Sequence, residues 1–178
     1  MNIFYIDENP VEAAIMMVDK HVVKMILETT QLLSTAHRVL DGTEYVGQTK
    51  TGRKAKRWIL PEPREEMLYS ATHVNHPSAV WCRTTVGNYK WLYDHLKALH
   101  SEYTYRYGKV HACERLMSFL FYAPHNLKDW NTTPMPSCMA PEYIISNDPL
   151  TNYRNYYKIG KSRMHKWTKR EKPEWINV

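Results

Sequence analysis

Apolar and polar positions along the chain repeat with the period of a helix far more often than with that of a strand. Asn9-Pro10 places an N-cap residue before a proline at the first helical position, so a helix is expected from Pro10 to about Leu40, with a break. It stops at the turn dipeptide Asp41-Gly42. Within it, positions advance about 100° per residue, and Lys20, Lys24, Glu28, Gln31, Thr35 and Arg38 share an arc of about 80°, with His21 beside it. Val22, Met25, Ile26, Leu33 and Leu40 form the opposite, core-facing side. A second helical stretch opens at Asn75-His76-Pro77-Ser78 and runs to Gly108, with Gly87 as a joint between two helices. A third, from His111 to Tyr122, is short and apolar on one face.

Other segments break the periodicity. Residues 1–8 read as a short strand or an extended arm. Thr43 to Arg64 is polar and basic with two prolines, and is expected to be a long surface loop. Ala123 to Pro149 holds five prolines, which excludes a long helix and predicts an irregular connection. Asp148-Pro149 then caps a helix whose basic, aromatic part covers residues 153–170. The expected fold is all-α: one compact helical domain over residues 1–178 with long irregular loops.

Composition narrows the class. The 178 residues are 43% hydrophobic and carry a formal net charge of +6, enough for one packed core and a net attraction to polyanions. The opening MNIFYIDENP lacks the basic and apolar regions of a secretory signal, and no apolar run approaches a membrane span, so a cytoplasmic protein with no membrane partner is expected. Cys82, Cys113 and Cys138 are odd in number and form no C-x-x-C pair. His73-x-x-His76, His95-x4-His100 and His111-x-Cys113 do not complete a ligand set, so neither metal nor cofactor is expected. Phosphate-loop, dinucleotide and serine-hydrolase motifs are absent from the sequence.

The chemistry-bearing feature is one acid among bases. Glu28 follows Lys24 by one helical turn and Lys20 by two. That spacing fits a solvated ion pair worth a few tenths of a kcal/mol, and equally a carboxylate placed for proton transfer or oxocarbenium stabilisation in a phosphate-binding groove. Near the C-terminus Tyr153, Tyr156, Tyr157, Lys158, Lys161, Arg163, Lys166, Trp167, Lys169 and Arg170 interleave aromatics with bases. This pattern suits phosphates and exposed bases, or else a helix core with solvated cations. Lys50, Arg53, Lys54, Lys56 and Arg57, followed by Trp58, form a basic run that would touch phosphates or remain solvated. Trp81 and Trp91 are read as packing residues.

Taken together, FYIDENPVEAAIMMVDKHVVKMILETTQLL, then NHPSAVW, then EYTYRYG, then YRNYYK resembles the pyrimidine-dimer DNA glycosylase family. The resemblance covers three blocks, residues 3–39, 74–108 and 153–162. It implies a DNA N-glycosylase with abasic-site lyase activity, acting on damaged or modified pyrimidines in double-stranded DNA. It implies Glu28, nine residues after Asp19, as the catalytic acid. Lys20 and Lys24 match turns that contact DNA, and His76-Pro77-Ser78-Ala79-Val80-Trp81 matches an H-P-A-x-x-W-like element. The expected phosphate- and base-contacting set is Lys20, His21, Lys24, Gln31, Arg38, Arg53, Lys54, Lys56, His76, Tyr156, Tyr157, Lys158 and Lys161.

Two features depart from that family. Its nucleophile is the α-amine of a small residue uncovered by loss of the initiator methionine, whereas Asn2 follows Met1 here and disfavours that loss. The nucleophile is then the amine of Met1, with Lys24 as the lysine alternative, or the chemistry is lost. The added segments 43–64 and 123–149 offer surface for a protein partner. Two other readings therefore stand beside the glycosylase: a catalytically inactive DNA- or protein-binding member of the fold, and an enzyme acting on free nucleotides or RNA. A phage-encoded protein of this kind would work in the host cytoplasm.

Overall fold

A computed structural model describes residues 1–49 and 51–177. Among them the chain forms seven α-helices, several short 3-10 turns and one two-stranded antiparallel sheet. The protein is mainly helical and not purely all-α. No helix is long and apolar enough to cross a membrane.

The expected N-terminal helix is two helices. α1 covers Pro10–Ile15 and α2 covers Asp19–Asp41. Asn9 caps α1 by accepting the Val11 and Glu12 N–H groups. The break between them is held by tertiary partners. Arg106 donates to the Ile15 and Met17 carbonyls at 2.8 Å each, Trp167 Nε1 donates to the Met16 carbonyl at 2.8 Å, and the Tyr157 hydroxyl accepts the Val18 N–H at 2.9 Å. Every one of these donors and acceptors comes from the far half of the sequence, so local pattern could not locate the break.

The basic segment after α2 is a hairpin rather than a loop: β1, Thr43–Gln48, pairs with β2, Lys54–Ile59, in the register Thr43↔Ile59 to Gln48↔Lys54. Gly52, with φ 78°, occupies the connecting turn. Short helix α3 spans Arg64–Met67. α4, Pro77–Cys82, and α5, Val86–Tyr107, follow, and Gly87 lies in the first turn of α5, close to the expected joint. Gly108, at φ 65°, ends α5 in the left-handed conformation that favours glycine. The run from His111 begins as a 3-10 turn and continues into α6, Met117–Leu120. Residues 123–148 contain one 3-10 turn and no longer helix, as their four prolines require, and the fifth, Pro149, opens the next helix.

α7 covers Pro149–Gly160 and stops there, ten residues short of the expected end. Beyond it the chain makes only 3-10 turns at Ser162–Met164 and Glu174–Ile176. The stop follows from tertiary ties that helix geometry would forbid: Asp19 N–H donates to the Lys166 carbonyl at 2.9 Å, and Thr168 N–H to the Asp19 carboxylate at 2.8 Å.

α2 packs along α5, and α1 and α4 close the sides. Val22, Met25, Ile26 and Leu33 are fully buried, as the helical pattern requires, and Leu40 is half-buried. Ile3, Phe4 and Ile6 are buried as well, so the N-terminal residues form an extended arm, with no strand, threaded into the core.

Candidate functional site

The arm determines where the chain begins in space. Asn2 Oδ1 accepts the N–H groups of Ile3 at 2.7 Å and Phe4 at 2.9 Å, an Asx-type closure. Phe4 consequently adopts φ 56°, a left-handed conformation unusual for a residue with a Cβ. Asn2 Nδ2 donates to the Cys138 carbonyl at 2.7 Å, tying the arm to the proline-rich segment. With its side chain fixed, the Asn2 N–H donates to Glu28 Oε2 at 3.1 Å, and the Met1 α-amine lies 3.9 Å from the same oxygen. The Met1 side chain is only 2% exposed, which anchors the amine from behind.

Glu28 is reached from the helix by Lys24, whose Nζ is 3.2 Å from Oε1. The carboxylate is 14% exposed and Lys24 67% exposed, so Glu28 sits at the floor of the cluster and Lys24 at its rim. His76 caps α4 by accepting the Ser78 N–H on Nδ1 at 3.2 Å. Burial holds its imidazole below the ordinary histidine range, assisted by the charges of the Met1 amine and His73 and opposed by Glu28. Ser78 Oγ is 3.4 Å from Cys138 Sγ, which closes the ring of neighbours. Amine, carboxylate, lysine and imidazole thus converge from three separate segments.

A second group flanks the arm. Phe4 stacks on His21 with centroids 4.1 Å apart and faces Tyr156 at 6.0 Å. Lys161 Nζ lies 4.6 Å from the Tyr156 ring centroid and 5.6 Å from that of Phe4. Lys24 and Lys161 therefore frame the arm with two cations.

Three of the expected phosphate- or base-contacting residues are internal instead. His21 is buried, and its Nδ1 is 2.9 Å from the Tyr157 hydroxyl, which also accepts the Val18 N–H. Burial, with the charges of Lys161 and Lys24, pushes this imidazole down to about 3, so it is neutral and cannot act as a cation. Tyr157 is fully buried and holds the α1–α2 break. Arg38 is buried, donating to the carbonyls of Tyr69, Trp58, Glu65 and Leu68 and forming a 2.6 Å ion pair with Glu65. Its position on the polar arc reflects a tertiary pocket for a guanidinium, not an exposed face.

The remaining residues are dispersed around the cluster. Lys20 is exposed at the start of α2, Gln31 is half-buried one turn beyond Glu28, and Lys158 is half-buried on α7. Arg53, Lys54 and Lys56 are exposed on the hairpin, where Lys56 pairs with Glu44 at 2.9 Å. The hairpin follows the end of α2, about 20 Å along the helix axis from Glu28, so only an extended ligand could span both. Lys50 lies outside the described residues. No group of three or more histidine, cysteine or acidic side chains able to hold a metal occurs among the described residues.

The parts that Asn2, Phe4, Ser78 and Cys138 play in building this cluster are not readable from the sequence. The one signal for them was the turn-forming tendency of asparagine at position 2. Comparison with models of protein families, with curated proteins and with solved structures finds no match.

Proposed function

We propose that the protein binds double-stranded DNA and acts as an N-glycosylase with abasic-site lyase activity on damaged or modified pyrimidines, as a member of the pyrimidine-dimer glycosylase family. The observation that carries this reading is the convergence on Glu28 Oε2 of two nitrogens from the start of the chain, Asn2 N at 3.1 Å and the Met1 amine at 3.9 Å. Residues 26 positions apart meet there, and an ion pair with Lys24 alone would not require it. Whichever of the two nitrogens is the mature α-amine, it faces the carboxylate.

In this reading the ammonium first gives up a proton, and the neutral amine attacks the sugar C1′. The N-glycosidic bond breaks, and the base leaves with the bonding pair and takes a proton. Glu28 stabilises the positive charge developing on the sugar. Ring opening gives an imine between the amine and C1′, from which elimination cleaves the strand. Lys24, Lys161 and Lys20 supply phosphate contacts, and the hairpin cations extend the contact along a duplex. Unstacking the target costs a few kcal/mol, which those contacts offset.

The test is incubation with duplexes carrying a cyclobutane dimer, a modified pyrimidine or an abasic site, under borohydride. The expected result is a covalent adduct whose digested peptide carries the sugar on the first residue. A protein that binds these duplexes but gives no adduct and no base release is the inactive binder. Activity confined to nucleotides or RNA would shift the substrate class instead.

A further inference from the structure

A cleft of about 400 Å³ lies away from Glu28, walled by Tyr5, Trp81, Trp91, Glu8, Asn88 and the segment around Thr133. Trp91 is its centre. The Tyr5 ring is tilted against it at 5.2 Å, and Trp81 meets it edge-on at 6.1 Å. His95 stacks on Trp91 at 5.2 Å and covers one side of the indole, so a ligand would enter between the tilted Tyr5 and Trp91 rings on the partly exposed side. The pattern-based expectation of two packing tryptophans therefore holds for Trp81, which is buried, and only partly for the half-exposed Trp91.

The polar groups in the walls are already committed. Trp91 Nε1 donates to the Glu8 carbonyl at 2.7 Å and Trp81 Nε1 to the Thr133 carbonyl at 2.9 Å. The Asn88 amide donates to the Trp81 carbonyl and the Thr133 hydroxyl and accepts the Thr133 N–H. No indole or amide N–H is left for an anion or a carbonyl. The Glu8 carboxylate, by contrast, is exposed and makes neither a hydrogen bond nor an ion pair among the described residues. No lysine, arginine or histidine lines the cleft, although the chain has 24 Lys+Arg and 9 His. Asp7 and Asp148 lie near enough that, with Glu8, their charges add to burial in raising the Tyr5 phenol above its ordinary range.

We propose that this cleft binds a quaternary or methylated ammonium ion, held against the faces of Tyr5 and Trp91 and balanced by the Glu8 carboxylate. Aromatic walls attract a cation through the ring quadrupole, and a methylated ammonium needs no hydrogen-bond acceptors beyond a diffuse negative charge. Asp7 is paired with Arg154 at 3.0 Å and Asp148 caps α7, so a phosphate entering the cleft would meet the unpaired Glu8 and no lining cation, which separates this site from the basic cluster at Lys24 and Lys161. None of the cleft residues is among those that the DNA reading places on phosphates or on the reacting sugar, although Trp81 also ends the H-P-A-x-x-W-like element.

Tryptophan fluorescence of the full chain, titrated at constant ionic strength with tetramethylammonium and with choline, tests it. Both ions are expected to saturate, and the uncharged carbon isostere of choline to bind about tenfold more weakly. Trp91→Leu should abolish the response. Glu8→Gln, in which the backbone carbonyl held by Trp91 survives, should weaken choline several-fold while leaving the circular dichroism unchanged, and it decides the matter if the tryptophan variant does not fold. Equal binding of the isostere, undiminished binding by Glu8→Gln, no saturation with either ion, or tighter binding of a nucleoside than of choline overturns the proposal.

Discussion

Glu28 faces three nitrogens in different bonding states, and substitution separates them. Glu28→Gln keeps an oxygen for the Asn2 N–H but loses both ion pairs. Base release is therefore expected to fall by about 10²–10⁴-fold, while duplex affinity holds or rises as a negative charge leaves the groove. Single-turnover base release and a binding isotherm read the two effects separately. Asn2→Ala removes the one oxygen that accepts the Ile3 and Phe4 N–H groups and the tie to Cys138, so the arm should loosen at a cost of about 1–3 kcal/mol, measured by denaturant unfolding, with a parallel drop in trapped adduct. Arg38 gives the opposite contrast. Arg38→Ala strands four carbonyls and Glu65, so it should lose several kcal/mol of stability yet leave duplex affinity of the folded protein unchanged. At this scale the Lys24–Glu28 ion pair was readable from its four-residue spacing. The burial of His21, Arg38 and Tyr157 was not, because a polar residue on a polar arc looks the same whether water or protein satisfies it.

Between elements, Arg106 does for the α1–α2 break what Asn2 does for the arm. It is buried, pairs with Asp19 at 3.0 Å and Glu102 at 3.0 Å, and Arg170 adds a further pair to Glu102. Arg106→Ala would leave two largely buried carboxylates facing one remaining guanidinium, and is expected to cost about 3–5 kcal/mol in an equilibrium unfolding measurement. Gly87 controls a different contact. A Cβ there would lie 2.4 Å from the Asn131 carbonyl oxygen and 2.7 Å from Thr132 Cγ2, so the irregular segment can pack against α5 only if position 87 is bare. Caps and stops at this scale were legible: Asn9-Pro10, Asp148-Pro149 and Gly108 all act where the chain writes them. The hairpin was missed because charge and proline dominated the composition of Thr43 to Arg64, while the alternation that marks β2 is carried by basic residues on an exposed sheet.

Across the whole molecule, several histidines are held neutral by burial. His37 and His95 are each pushed down to about 4 and His21 to about 3. A histidine lowered in the folded state takes up protons in the unfolded state first. Its contribution to stability is complete above about 6.5 and is lost as pH falls toward the folded value, at about 1.4 kcal/mol per histidine per pH unit. The carboxylates Asp19 and Asp41, lowered by their partners, lose their contribution only below the usual carboxylate range. Thermal or denaturant midpoints should therefore drop steeply between pH about 6.5 and 4, with a slope approaching three protons. Replacing His95 alone by a neutral, similarly shaped residue should shallow that slope. The net charge of +6 acts over longer distance. If the basic groove meets several phosphates, duplex affinity should fall steeply between about 50 and 200 mM salt, and a flat response would remove DNA as the ligand.

The sequence by itself determined the helical class, the core face of α2, the caps of α1 and α7, the irregular proline-rich connection and the excess of positive charge. These depend on local periodicity and on residues that fix their own backbone. Tertiary structure alone decided which polar groups are free to act. The Met1 amine meets Glu28 because Asn2 closes the arm onto Cys138, and Tyr157 and Arg106 spend their polar atoms on a helix break far away in the chain. A side chain's donors and charge are set by its type, but whether they remain available depends on which distant backbone groups folding leaves without a partner.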